Sequence, residues 1–168
     1  MATVTWVING NSKHEISSVN HLLQLMNQGT LFTNAGSTPT GWLDGTENYE
    51  QTVDIDLDGQ TVIPIGIGGA SNRFEGDYDG ANFSISNWNC TGDYATYGLF
   101  AVCRNNTVEN VVLKGVWTTG TDSTNTSTGF LTGSTSGSGC TLRNCHGIFD
   151  AGSGHAGTPT QFGGLVGE

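Results

Sequence analysis

Basic residues are the first thing this chain lacks. Lysine and arginine number 5 in 168 residues against 15 aspartates and glutamates, giving a formal charge of −10. The five, Lys13, Arg73, Arg104, Lys114 and Arg143, are scattered along the sequence, whereas binding a phosphate backbone or an anionic bilayer needs clustered cations. Nucleic acid is therefore not an expected partner. Long apolar runs are also missing: none approaches the ~20 residues of a membrane-spanning helix, so no membrane insertion is expected. The start, Met1-Ala2-Thr3-Val4-Thr5-Trp6, lacks the basic-then-apolar pattern of a secretory leader. Charge of either sign is scarce at 12%, about half the usual share, which argues against a coiled coil or helical bundle. The presence of 4 Trp, 4 Tyr and 7 Phe argues against disorder. Cys90, Cys103, Cys140 and Cys145 form no C-x-x-C pair. A zinc site is not expected, and buried free thiols are preferred over one or two disulfides.

What is present is small, polar and turn-forming. Gly, Thr, Asn and Ser number 26, 23, 15 and 13, and this texture indicates an all-β protein with many turns. Thr3 to Ile8 alternates Val4, Trp6 and Ile8 with Thr3, Thr5 and Val7 and predicts a strand. One helix is predicted. Ser17 or Ser18 caps it, Val19, Leu22, Leu23 and Met26 recur at helical spacing, and Gly29 stands at its left-handed C-terminal cap. Residues 30 to 50 contain Gly36, Pro39, Gly41 and Gly45 and read as an irregular loop, pinned by Leu31, Phe32, Trp42 and Tyr49. From Gln51 the chain turns to short strands separated by glycine, with Val53, Ile55 and Leu57 on one face and Asp54, Asp56 and Asp58 on the other. The change of texture divides the chain into residues 1–50, holding strand, helix and loop, and residues 51–168, holding repeats.

Two motifs carry the repetition. Gly98, Gly129 and Gly164 open similar Gly-plus-apolar segments 31 and 35 residues apart, and Asn87, Asn110 and Asn144 each follow an aliphatic by two residues, 23 and 34 apart. A degenerate period of this length, built from β-formers and glycine, is the signature of a solenoid. Stacked coils turn apolar positions into interior columns. Glycine serves bends that need positive φ, and asparagine tolerates that region while bonding to neighbouring coils. The predicted fold is a right-handed parallel β-solenoid (β-helix) with an N-terminal capping α-helix that covers the first coil's strand edges. Thr118 to Thr128 and Gly147 to Thr160 read as insertions projecting from one edge.

The segment Phe74-Glu75-Gly76-Asp77-Tyr78-Asp79-Gly80-Ala81-Asn82-Phe83-Ser84-Ile85-Ser86-Asn87 resembles the F-x-G-x-[FY]-D-G-x-x-x-x-I-x-N opening of GLUG-type repeat proteins. The later Gly98-Leu99-Phe100 and Gly163-Gly164-Leu165-Val166-Gly167 resemble that repeat's core, with departures at Ala101 and Phe130-Leu131. His21 to Thr30, followed by Gln51 to Leu57 and Ile63 to Gly66, resembles the start of the examples found in particles of large DNA viruses. The resemblance implies a β-solenoid and a minor capsid or surface component of a virion, with other capsid or assembly proteins as partners. Related proteins among bacterial adhesins give the alternative of a cell-surface, glycan-contacting module.

The residues that could carry chemistry are few. Asp54-Ile55-Asp56-Leu57-Asp58-Gly59 matches the first half of an EF-hand loop, but its twelfth position is Ile65, so calcium is not expected. A looser calcium site would draw on Asp77 and Asp79. A polysaccharide lyase or hydrolase would need paired carboxylates with a base, and the candidates are Asp77, Asp79, Asp93, Asp122 and Asp150 with Arg104 and Arg143. Their spacing brings no such set together. Asn82, Asn89, Asn105 and Asn125 head N-x-S/T sequons, as expected by chance in so polar a chain. No catalytic group, cofactor or metal is assigned. The expected role is that of a non-enzymatic structural protein, in which Asn87, Asn110, Asn144, Gly98, Gly129 and Gly164 shape the coils.

Overall fold

The computed structural model describes residues 2–42, 47–58, 60–67, 73–90, 94–119, 127–136, 139–151, 153–155 and 164–166. The chain opens with β1 (Thr3–Trp6), β2 (His14–Ile16) and α1 (Val19–Met26), then β3 (Thr33–Gly36), β4 (Tyr49–Gln51) and β5 (Ile55–Asp56). A further turn holds β6 (Tyr78–Asp79), β7 (Ser84–Ser86), β8 (Asn89–Cys90), β9 (Thr96–Tyr97) and β10 (Phe100–Arg104). The next holds β11 (Thr107–Glu109), β12 (Val112–Gly115), β13 (Thr118–Thr119), β14 (Ser127–Thr128) and β15 (Thr132–Ser136). The last described strands are β16 (Thr141–Arg143), β17 (His146–Phe149) and β18 (Gly154–His155).

Every pairing between these strands is parallel, and each strand pairs with its counterpart one turn away. The result is a β-solenoid of about four turns. One wall is the five-stranded sheet β2-β4-β6-β11-β16, the next is β5-β7-β12-β17, and a third is β8-β13-β18. Isolated bridges at Thr61, Ile65 and Phe74 complete the turn of β4 and β5. Pro64 and Gly66 prevent a continuous strand there, because proline donates no ladder hydrogen bond and glycine packs no side chain.

Stacking explains the core. On the five-stranded sheet His14, Tyr49, Tyr78, Val108 and Leu142 stand one above another. On the next wall Ile55, Ile85 and Leu113 do the same, and all three are buried. Trp88 and Trp117 stack with ring centroids 5.1 Å apart inside the coil. The one helix closes the N-terminal end. Ser18 caps it, its side chain accepting from the His21 N–H, and six consecutive residues from His21 to Met26 are buried. It packs on β1 and β2, so the end strand of the five-stranded wall keeps its Ile16 fully covered.

Several local expectations are corrected. The segment 30 to 50 is not irregular throughout: its described residues include β3 and the start of β4, which pair with β1 and β2 and so belong to the stack. The first strand stops at Trp6, and Ile8 is exposed. Val53 turns outward from Ile55 and Leu57, because the chain bends before the two-residue β5. Gly29 is left-handed at φ +78°, but the helix ends two residues earlier at Asn27. In the segments read as insertions, β13, β14, β17 and β18 are paired strands, while residues 120–126, 152 and 156–160 lie outside the described residues.

Leu113→Ala removes a fully buried side chain stacked between Ile85 and Gly147 and is expected to cost about 2–5 kcal/mol. Ile148→Ala, on the same wall but 65% exposed, should stay within about 0.5 kcal/mol of the parent. Urea unfolding of the two variants checks the assignment of inside and outside.

Candidate functional site

The outer face of the five-stranded sheet concentrates the charge of the described residues. In-register stacking places Glu15, Glu50, Asp79, Glu109 and Arg143 in one column. Four carboxylates thus stand on successive strands, at the ~4.8 Å spacing of paired strands. Like charges directly opposite one another destabilise a sheet, and the column is neutralised from both ends. Lys13, just ahead of β2, puts its Nζ 2.9 Å from Asp79 Oδ2 and 3.8 Å from Glu50 Oε2. Arg143 reaches Glu109 Oε2 at 3.3 Å. The Asn11 amide donates to Glu50 Oε2 at 3.4 Å.

The corner beside this column is tied by amides. Asn110 Nδ2 donates to Asp79 Oδ1 at 2.9 Å, and Asn144 Nδ2 donates to Asn110 Oδ1 at 2.8 Å, a ladder crossing three turns. Both asparagines are left-handed, at φ +55° and +51°. Asn87 is also left-handed at φ +56°, but it lies at the following corner. There its Nδ2 donates to Asp56 Oδ1 at 2.8 Å, and its Oδ1 accepts from the Val116 N–H at 3.2 Å. The repeat spacing of 23 between Asn87 and Asn110 therefore does not correspond to a turn, whereas the 34 between Asn110 and Asn144 does. Facing Asn87 is Gly115 at φ +80°, where an added Cβ would sit 2.5 Å from the Asn87 Oδ1.

The glycine motif is placed differently from the asparagines. Gly98 has a close-packed role: an added Cβ would lie 2.8 Å from the Gly133 N and 2.9 Å from the Gly129 O. The Gly129 N–H donates to the Tyr97 carbonyl at 3.1 Å, in the pairing of β14 with β9. Gly164 is exposed, its added Cβ meets nothing within 4 Å, and its carbonyl accepts from the Phe130 N–H at 2.8 Å.

Of the carboxylates considered for chemistry, those of Asp77 and Asp79 are held in structural bonds. Asp77 Oδ1 accepts from the Thr107 N–H at 2.7 Å, while the Asp77 N–H donates to Asn48 Oδ1 at 3.0 Å. The Asp150 N–H donates to the Gly115 carbonyl, and the Asp150 carbonyl accepts from Ser153. Arg104 pairs with Glu75 at 3.0 Å, so Arg104 and Arg143 are both engaged away from Asp77 and Asp79. Asp93, Asp122 and Asn125 lie outside the described residues. Asp54 accepts from the Ser84 N–H and hydroxyl at 2.7 and 2.8 Å, and Asp56 Oδ1 accepts from the Asp58 N–H at 2.9 Å. The Asp54 and Asp56 carboxylates of the EF-hand-like stretch are therefore taken up in hydrogen bonds within the frame. No group of three or more His, Cys, Asp or Glu among the described residues is arranged to hold a metal ion. A groove of about 290 Å³ runs beneath the end of α1, lined by Met26, Asn27, Gln28, Thr30, Ile63 and Ile67. It contains no titratable side chain.

Sequence reasoning did not single out Lys13, Glu15, Glu50 or Glu109. The available signal was the spacing of Glu15, Glu50, Asp79 and Glu109, which are 35, 29 and 30 residues apart, one turn each time. The histidines of this end are also held: His14 Nε2 donates to Glu47 Oε2 at 2.8 Å, and His21 Nε2 donates to the Thr5 carbonyl at 2.9 Å. The chain matches no family model, no curated protein and no solved structure at a significant level.

Four carboxylates, Glu47, Asp54, Asp56 and Asp79, titrate below their ordinary range. Burial alone would raise Asp79, but bonds from Asn110, Lys13 and the Ala81 N–H outweigh it and lower the group. Glu47 is lowered against its own burial by the Thr40 hydroxyl and N–H and by His14. Hydrogen bonds from Ser84 lower Asp54, and those from the Asp58 N–H and Asn87 lower Asp56. Groups lowered in the folded state bind protons more tightly when unfolded. Their contribution is thus present above the unfolded pKa of about 4 and is lost as pH falls through the folded values. Unfolding by urea at stepped pH should therefore show stability dropping below about pH 4. Asp79→Asn should cost about 1–2 kcal/mol at neutral pH and flatten that acid dependence.

Proposed function

We propose that the chain is a non-enzymatic structural protein of a large assembly, a minor capsid or surface component of a large DNA virus particle. The observation that carries the non-enzymatic part is the use of the described carboxylates and arginines. Asp54, Asp56, Asp77 and Asp79 bond backbone N–H groups or neighbouring turns, and both candidate arginines are paired with glutamates. Catalysis by general acid and base needs a carboxylate aimed at a substrate rather than bonded within the frame. Trp6, Trp88 and Trp117 are likewise taken up in the interior, which leaves them no part in stacking on a sugar ring.

The fold supports the same reading. Rigid stacks of parallel turns present extended walls, and such surfaces suit lateral packing against neighbouring subunits. The viral setting rests on the resemblance of Phe74 to Asn87 and of the N-terminal residues to GLUG-type repeat proteins of virus particles. Other capsid proteins are the partners this role requires, and the virion is its location.

Mass spectrometry of purified particles and of the soluble fraction from the native source tests the proposal. Recovery in the particle at fixed stoichiometry, resistant to salt washing, is the expected result. Recovery as a secreted or membrane-anchored species bound to glycans would overturn the virion role in favour of an adhesin.

A further inference from the structure

Three of the four thiols gather where β10 leaves its turn and β16 begins the next. Cys103 is on β10 and wholly buried, and Cys140 is half-buried directly ahead of β16. Two backbone bonds fix the Cys140 segment beside the residues that follow Cys103. The Asn105 N–H donates to the Gly139 carbonyl at 2.9 Å, and the Thr141 N–H donates to the Asn106 carbonyl at 2.8 Å. Asn106 is itself anchored, its Nδ2 donating to the Phe74 and Gly76 carbonyls at 3.2 and 2.9 Å. Within this frame the side chains of Cys103 and Cys140 hydrogen-bond to each other. Cys145 is held differently, its Sγ donating to the Arg143 and Val108 carbonyls at 3.2 and 3.6 Å.

The geometry points to Cys103 and Cys140 as a thiol pair that closes to a disulfide in the folded protein, stapling the segment that enters β16 to the end of β10. Both are free thiols in the structure, so closure is an oxidation and needs an acceptor of two electrons. A low-molecular-weight disulfide supplies it. The Cys140 thiolate attacks one sulfur of that disulfide, its S–S bond breaks, and one small thiolate leaves. Cys103 then attacks the Cys140 sulfur, a second small thiolate leaves, and the two cysteine protons end on the two released thiols. The protein pair is oxidised by two electrons and the reagent is reduced to two thiols.

The environments divide the roles between the two residues. Burial, with the Cys140 contact added to it, pushes the Cys103 thiol well above its ordinary value. The hydrogen bond from Cys103 holds Cys140 below its ordinary value. The thiolate is the attacking species, which makes the half-exposed Cys140 the entry point and the buried Cys103 the resolving partner. The place of the staple matters because Leu142 on β16, Phe149 on β17 and Cys145 between them are only partly covered, while Val108 and Leu113 on the preceding turn are fully buried. A turn with less of its apolar surface covered opens at lower free energy than those within the stack, so tying it down changes its opening most.

The test treats the folded protein with excess oxidised glutathione, alkylates the remaining thiols and maps peptides by mass spectrometry without reduction. The expected product is a Cys103–Cys140 cross-link, retained in Cys145→Ser and absent from Cys140→Ser. In Cys103→Ala, a substitution chosen to keep the site apolar, Cys140 should be trapped as a mixed disulfide with glutathione. Amide exchange in β16 should slow about tenfold on oxidation and recover with dithiothreitol. A Cys140–Cys145 bond, or glutathione adducts on Cys140 of the unmutated chain with no internal link, would overturn the assignment.

Discussion

Parallel in-register stacking is the constraint from which the rest of this molecule follows. A strand of two to five residues is far too short to stand alone, so each survives only by pairing with its counterpart a turn away. Pairing then dictates what sits above and below every residue. Where the position points inward, stacking builds continuous columns such as Ile55, Ile85 and Leu113. Where it points outward the same rule brings like beside like, and four carboxylates line up on one wall. The salt bridges of Lys13 and Arg143 and the amide of Asn110 are local answers to that global geometry.

Corners and ends impose their own requirements. A chain that turns sharply between walls must pass through left-handed backbone, and asparagine meets this at Asn87, Asn110 and Asn144 while its amide bridges adjacent turns. The N-terminal end is closed by α1, whose buried side from His21 to Met26 replaces the missing turn. Polar groups are drawn into the same task. Gln51, fully buried, donates to the Val53 and Ser84 carbonyls at 2.8 and 3.0 Å and accepts from the Tyr78 hydroxyl at 3.3 Å. Side chains spent in this way are withdrawn from substrate chemistry, which is the ground on which the proposed structural role rests.

Much of the fold was legible in the sequence because stacking imprints its period. Asn110 and Asn144 are one turn apart, and their spacing reads the turn length directly. Asn87 was misaligned because two different corners use the same aliphatic-x-Asn texture, and local pattern alone does not distinguish them. The strand His14–Ile16 and the strands hidden in 30 to 50 left no trace, since three or four residues carry no measurable alternation. Their existence depends on partners elsewhere in the chain. The charged column was invisible for the same reason: Glu15, Glu50, Asp79 and Glu109 become neighbours only once the register is known.

Native-state hydrogen exchange resolved along the chain tests the stacking account most directly. The account predicts strong and concerted protection of β6, β7, β11 and β12, each paired on both sides, with β16 and β17 exchanging sooner. Protection of the inner strands no greater than that of the intervening turns would contradict a cooperative stack, and with it the physical basis of the role proposed for this protein.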